Sequence, residues 1–193
     1  MVAVTTERYS IDDLDGFPDD GRRRELSNGR IVEWDVTTYR HGFMIVALGR
    51  ILGNYVVQHR LGQVIGADAL VRILGSRFDA RGADVAFYDR RRIPTDIDAS
   101  ATATAPDFVI EVLSPTDRAS LVQDKIRDWL RTGVRLIWSV DPVTGTTAVY
   151  HGEHAAIVGA EETLDGYDVV PGFTLCMGEV LNELIAFQEE ASS

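Results

Sequence analysis

Lysine is almost missing from this chain: one, Lys125, stands against eighteen arginines. Cysteine is as scarce. The lone Cys176 excludes an intrachain disulfide and offers no metal cluster, and its apolar neighbours suit a small core residue. No His/Cys set has zinc spacing. No apolar run is long enough to cross a bilayer, and Met1 to Arg8 carries no apolar core of the signal-peptide kind, so a cytoplasmic location is expected. Positive charge is in deficit. A net charge of −11 and a pI near 4.7 argue against a broad basic face tracking nucleic acid, though not against a local basic groove. Internal repeats and long linkers are absent too. With 193 residues, one domain spanning positions 1–193 is expected, with a core of ordinary size.

The charges that are present are clustered. Asp12, Asp13, Asp15, Asp19 and Asp20 concentrate acid early, and Arg22-Arg23-Arg24 and Arg90-Arg91-Arg92 form basic triplets. Either triplet can touch phosphates or sit on a solvated turn. Ser10 and Asp13 form a capping box for a short first helix. Asn28-Gly29 joins Arg24-Glu25-Leu26 to Arg30-Ile31-Val32-Glu33-Trp34 as a hairpin. Met44, Leu48, Ile51, Leu52 and Tyr55 share one face of a long helix over 40–60, ended by Gly62. Strands are expected near 63–65, 69–74, 83–88, 108–114 and 134–141, with the break Gly66-Ala67-Asp68 between the first two. A second long helix runs from about 117 to 131 behind Ser114-Pro115-Thr116-Asp117 and is capped by Gly133. The Ala/Thr-rich stretch 99–105 reads as a loop. A peripheral hairpin (146–150 and 154–158) and a helix near 179–189 close the chain. Joining 108–114 through a helix to 134–141 implies a parallel crossover, so the fold class is α/β (α+β): a mixed sheet flanked by helices, with an N-terminal β-hairpin.

Two charges violate this pattern. Glu111 interrupts Phe108-Val109-Ile110-Glu111-Val112-Leu113, an apolar run of the kind a buried strand shows. Lys125 lies among Leu121, Val122, Ile126 and Trp129, the buried stripe of the second long helix. Lysine is a compact titratable point charge, which arginine is not, so its retention here in an arginine-rich chain is informative. Buried opposite charges are costly alone and tolerable as a pair, and they cluster at active sites.

Acidic residues at strand ends can converge on Mg²⁺ or Mn²⁺, which favour oxygen ligands. The candidates are Asp84, Asp107 and Glu111. Asp107 and Glu111 share a strand face but stand roughly 13 Å apart at about 3.3 Å per residue, too far to chelate one ion together. Glu111 is the primary choice. Asp107 binds through water, organises its loop or bonds nearby backbone amides. Lys125, reaching the site from the overlying helix, would orient or deprotonate water and neutralise charge on a transferring phosphate.

The stretch Pro106-Asp107-Phe108-Val109-Ile110-Glu111-Val112-Leu113-Ser114-Pro115, then Lys125, then Gly133-Val134-Arg135-Leu136-Ile137-Trp138-Ser139-Val140-Asp141-Pro142, resembles the Uma2 family of restriction-endonuclease-like proteins. Glu25-Leu26 with Gly29-Arg30-Ile31-Val32-Glu33, His41 and Val170-Pro171-Gly172-Phe173 extend the resemblance over nearly the whole chain. It implies the PD-(D/E)XK nuclease superfamily: a restriction-endonuclease-like mixed sheet, bound Mg²⁺ and hydrolysis of phosphodiester bonds in nucleic acid, with DNA the expected form. Carried over by residue, Asp84 takes the first aspartate's place and Glu111 that of the (D/E), so these two would bind metal. Asp107 and Lys125 complete the catalytic set. Glu33 and His41 are accessory candidates. Ala83 replaces the motif proline. Leu113 stands where the motif lysine would be, and Lys125 on the following helix supplies the charge instead. The resemblance, with the apolar first long helix, also implies a homodimer.

Each assignment has a structural counterpart. Glu111 and Lys125 can be a buried ion pair fixing helix on strand. Asp84 can cap a turn after Gly82, His41 can cap a helix, and Glu33 can be simply exposed. Trp34, Trp129 and Trp138 suit the core. Ser114 lacks a Gly-x-Ser-x-Gly setting and a nearby histidine, which removes a serine hydrolase. The reading from a different class is a catalytically inactive binding or interaction module on the same fold.

Overall fold

In a computed structural model, residues 8–14, 16–18, 20, 22–34, 38–66 and 69–191 are described. Met1 to Glu7, Asp15, Asp19 and the Ala67-Asp68 break lie outside the described residues. The chain opens with α1 (Ile11–Leu14), where the Ser10 backbone N–H and hydroxyl both donate to Asp13 Oδ2, at 2.6 and 2.7 Å. Asp13 thus supplies its arm of the expected capping box, while the Asp13 N–H bonds the Ser10 carbonyl and not its hydroxyl. Strands β1 (Arg23–Ser27) and β2 (Arg30–Trp34) form the hairpin, and Asn28 and Gly29 take φ values of 52° and 75°, which a type I′ turn demands.

Helix α2 (Tyr39–Gln58) is capped by Thr38, whose side chain accepts the His41 N–H at 3.2 Å. Its exit differs from the expectation. Arg60, at φ 54°, turns the chain out of the helix, not Gly62. Gly62 is needed for another reason: a Cβ there would stand 1.9 Å from the Tyr88 carbonyl oxygen on the neighbouring strand.

There follow β3 (Gly62–Gly66), β4 (Leu70–Arg72), a 3₁₀ turn at Ile73–Gly75, β5 (Ala80–Gly82), β6 (Val85–Asp89), β7 (Ala101–Thr102) and β8 (Phe108–Val112). Then come α3 (Ala119–Thr132), β9 (Leu136–Val140), β10 (Thr147–His151), β11 (His154–Val158), β12 (Thr163–Asp165), β13 (Thr174–Cys176) and α4 (Met177–Ala191). Gly133 ends α3 at φ 96°.

The mixed sheet flanked by helices is present, but the strands divide between two main sheets. One has the order β11-β10-β9-β8-β6-β3, with β8 parallel to β9 and its other pairs antiparallel. The other, β2-β1-β5-β4-β7, carries the hairpin. The division lies at Ala83-Asp84, between β5 in one sheet and β6 in the other, so the strand expected over 83–88 begins only at Val85. The stretch 99–105 is not wholly a loop, since β7 pairs parallel with β4. The strands expected over 108–114 and 134–141 occur, bounded at 108–112 and 136–140.

Strand alternation sorts the core. Phe108, Ile110, Phe87, Val85 and Trp138 face Met44, Leu48 and Leu52 of α2. Val109, Ala86, Tyr88 and Ile137 face Ile126 and Trp129 of α3. Since side chains repeat every two residues, Glu111 falls with Val109 on the α3 face. Both faces of the six-stranded sheet are covered, so a charge on its central strand must be answered from within the protein.

Candidate active site

Glu111 is answered from α3. Lys125 Nζ stands 2.8 Å from Glu111 Oε2, and the Trp129 indole N–H donates to Glu111 Oε1 at 2.7 Å. Residues 125 and 129 are one turn apart, so both reach the same carboxylate. Lys125 also pairs with Glu25 of the hairpin at 3.0 Å. Glu25 in turn accepts the Gly82 N–H at 3.1 Å and faces Arg81 at 3.4 Å, and Arg81 donates twice to Asp128 of α3, at 2.9 and 2.6 Å. Lys125, Glu25, Arg81 and Glu111 are all buried, 2–6% exposed. The network joins the hairpin, β5, β8 and α3.

Burial dominates the titration of these groups. It pushes the Glu111 carboxyl up, to about 7, against the opposing pull of Lys125, with the negative charges of Asp84 and Glu25 adding to the rise. Burial also works against the Lys125 ammonium, but Glu111 and Glu25 outweigh it and hold the group above its ordinary value. For Glu25, burial is outweighed by Lys125 and Arg81, which hold its carboxyl down. Lys125 is therefore an ammonium at neutral pH. It can orient and neutralise, but it is not poised to deprotonate water.

Asp84 sits in the break between β5 and β6, 3% exposed. Its Oδ1 accepts from Arg23 Nη1 at 2.9 Å and its Oδ2 from the Val112 N–H at 2.8 Å. It is not a simple turn cap. His41 lies behind it: Nε2 donates to the Val112 carbonyl at 2.8 Å and stands 3.9 Å from Asp84 Oδ2. His41 is 3% exposed, so the N-terminal position on the helix does not make it a surface residue. The backbone of Val112, next to Glu111, is thus held on both sides, by Asp84 and by His41.

Asp84, Glu111, Lys125 and His41 line one cleft of about 40 Å³, together with Arg23 and Trp34 of the hairpin. That volume takes a few water-sized groups. Asp117 joins them at the start of α3: its Oδ2 accepts the Ser114 N–H at 2.8 Å, and burial pushes its carboxyl up.

Two expected residues are not brought to this cleft. Asp107 shares the strand face of Glu111 but lies at the other end of β8, where it accepts the Asp89 N–H at 2.9 Å and pairs with Arg92 at 2.7 Å. This is the loop-organising and amide-bonding alternative. Glu33 pairs across the hairpin with Arg24 and with Arg22, both at 3.0 Å, outside the cleft lining. Several cleft or network residues were not singled out from sequence as site residues, among them Arg23, Glu25, Trp34, Arg81 and Asp117. Glu25 carried a usable signal, since Val32 is its cross-strand partner and the hairpin alternates.

Among the described residues no three His, Cys, Asp or Glu side chains form a ready cation cage. Mg²⁺ seldom needs one. It takes one or two carboxylates and completes its shell with water and phosphate. Asp84 and Glu111 would supply two hard oxygen donors at one cleft, and a cation held there would offset the negative charge of both. By donor type and number they fit such an ion.

Mixed sheets flanked by helices, with carboxylates and a lysine gathered beside the central strand, define a protein of the restriction-endonuclease-like fold. The Uma2 family, described as putative restriction endonuclease, matches residues 11–178, and the chain belongs to it. A crystal structure of a putative nuclease belonging to DUF820 from Anabaena variabilis ATCC 29413 is similar in fold, with a TM-score of 0.79 at 18% identity, covering 91% of this chain and 98% of that one. No curated protein matches. Among the described residues no helix is long and apolar enough to cross a membrane.

Proposed function

We propose that this protein is a cytoplasmic Mg²⁺- or Mn²⁺-dependent endonuclease that hydrolyses phosphodiester bonds of nucleic acid, DNA in the first place. The observation that carries the reading is the convergence of Asp84, Glu111 and Lys125 on one open cleft, from three separate elements, in a member of a restriction-endonuclease family. Asp84 and Glu111 would hold the cation, which supplies Lewis acidity and charge neutralisation at the phosphate. Lys125, held as an ammonium, stabilises the negative charge that grows on the phosphate oxygens. Arg23, at the rim of the cleft and 20% exposed in its side chain, offers guanidinium donors toward the backbone phosphates. Asp107, with its own partners at the far end of β8, supports the loop after β6. Exposed Tyr39, Val46 and Val57 on α2 support pairing of two copies as a homodimer.

Calorimetric titration of Mn²⁺ into wild type and Asp84→Ala/Glu111→Ala, followed by cleavage assays on labelled DNA and RNA, tests the reading. Binding lost in the double variant together with cleavage by wild type supports it. A wild type that cleaves neither polymer and binds Mn²⁺ no better than the double variant refutes it. Two observations favour the inactive binding module instead: Arg23 and Lys125 already pair with Asp84 and Glu111, and Leu113 occupies the usual lysine position. On that reading wild type binds nucleic acid without cutting it.

A further inference from the structure

Two residues that line the cleft each carry a buried polar atom with no hydrogen-bond partner among the described residues, Trp34 Nε1 and His41 Nδ1; the core indole Trp138 Nε1 is also unpartnered but lies outside the cleft lining. Each such atom forfeits the hydrogen bonds water would give it, so two in residues lining one cleft point to a ligand that supplies them. The two are opposite in kind. The Trp34 indole N–H can only donate. His41 Nε2 is committed as a donor, because its partner at 2.8 Å is the Val112 carbonyl oxygen. In the neutral ring that leaves Nδ1 as an acceptor. The same cleft holds the positive charge of Lys125, whose Nζ is 5.1 Å from the Trp34 ring centroid. The charged group facing His41 is Asp84, with Glu111, Asp117, Arg23 and Lys125 around the same cleft.

We propose that Trp34 and His41 are a substrate-positioning pair of opposite polarity. The Trp34 indole N–H donates to a non-bridging phosphate oxygen, and His41 Nδ1 accepts a hydrogen bond from the water that attacks the phosphorus. The inference rests on the nuclease reading and goes beyond it by assigning the phosphate and the nucleophile to two residues outside the carboxylate–lysine set. Trp34 acts on binding. His41 acts on the alignment of the water and so on turnover.

Two substitutions isolate the two atoms. Trp34→Phe keeps an aromatic face for Lys125 and removes the N–H. His41→Gln can keep an N–H donor for the Val112 carbonyl and removes the acceptor at Nδ1. Thermal melts establish that each variant folds. Fluorescence anisotropy with labelled DNA duplex and single strand, without added metal, measures binding, and Mn²⁺-supported cleavage of the same probes gives KM and kcat. The expected result for Trp34→Phe is roughly tenfold weaker binding with kcat little changed. For His41→Gln it is a fall in kcat of about a hundredfold with binding retained. An active wild type whose two folded variants bind and cut as it does overturns this assignment and leaves the nuclease reading standing. A wild type that neither binds nor cuts any probe overturns both. Should a variant not fold, Trp34→His, which restores a ring N–H, and His41→Asn, which places an amide oxygen near Nδ1, take its place. Wild-type-like binding by Trp34→His and partial kcat in His41→Asn support the pair, and their absence refutes it.

Discussion

Replacing Lys125 by Met tests whether the buried network is held by this one charge. Methionine fits a similar volume and removes the ammonium. Glu111 then keeps the Trp129 indole, and Glu25 keeps Arg81 and the Gly82 amide, but two buried carboxylates lose the cation 2.8 and 3.0 Å away. Removing one partner of a buried pair costs about 3–5 kcal/mol, because the survivor stays buried and uncompensated. At about 2–4 °C per kcal/mol for a chain of this size, the melting temperature at pH 8 should fall by roughly 10 °C. The loss depends on pH with a definite sign. Glu111 already titrates near 7 with Lys125 in place, and without it the carboxyl rises further. Acid therefore protonates the stranded group and removes its cost, so the deficit of Lys125→Met should shrink between pH 8 and pH 5. Urea unfolding followed by far-UV circular dichroism at the two pH values measures this. A variant within 1 kcal/mol of wild type at pH 8, or one whose deficit grows in acid, would refute the argument.

Three further outcomes follow from the geometry. Glu111 has a folded-state value raised from 4.5 to about 7, so its contribution to stability is present below about pH 4.5 and is lost as pH rises through 7; Glu111→Gln should lack this loss of about 3 kcal/mol, and its urea midpoint should gain on wild type between pH 4 and pH 8. Gly62→Ala should destabilise by about 3 kcal/mol, because the new Cβ would meet the Tyr88 carbonyl at 1.9 Å and backbone must move, and a denaturation midpoint unchanged from wild type would count against the placement. Asp107→Asn should cost about 1–3 kcal/mol through the weakened Arg92 and Asp89 contacts and leave the cleavage rate per folded molecule intact; a selective loss of cleavage would return Asp107 to the chemistry.

The sequence exposed the centre of this site better than its rim. Glu111 and Lys125 were legible because each breaks a periodic apolar pattern, and a charge in a buried strand or stripe must meet its opposite. Asp84 was legible as an acid at a strand end and, through the family resemblance, as the first aspartate of the motif, but its place in the gap between β5 and β6, where the chain changes sheet, was not. Asp107 shared a face with Glu111, as alternation requires, but a shared face says nothing of which strand end faces the cleft. Arg23, Glu25 and Trp34 were missed as site residues for a different reason. A hairpin's pattern tells which side chains lie together, and only the closure of the second sheet against α3 decides which of its faces is buried. Strands β5, β7, β12 and β13, of two or three residues each, are too short for periodicity to register.

That last distinction bears on how the cleft is assembled. Asp84 lies where the chain leaves one sheet for the other, Glu111 belongs to the six-stranded sheet, Lys125 to α3, and Glu25 to the hairpin of the five-stranded sheet. The Lys125 ammonium bridges the last two sources, and Arg81 doubles the link by tying Glu25 to Asp128. The costly buried charges thus stand where separate layers meet, and none of them is satisfied inside one element alone. A buried ion pair is poor value as plain stabilisation, since apolar residues of equal volume usually do as well. Its placement at the junction of sheets and helix, beside an open cleft with unpartnered polar atoms, is better explained as the cost of holding charged groups in a fixed constellation for a ligand.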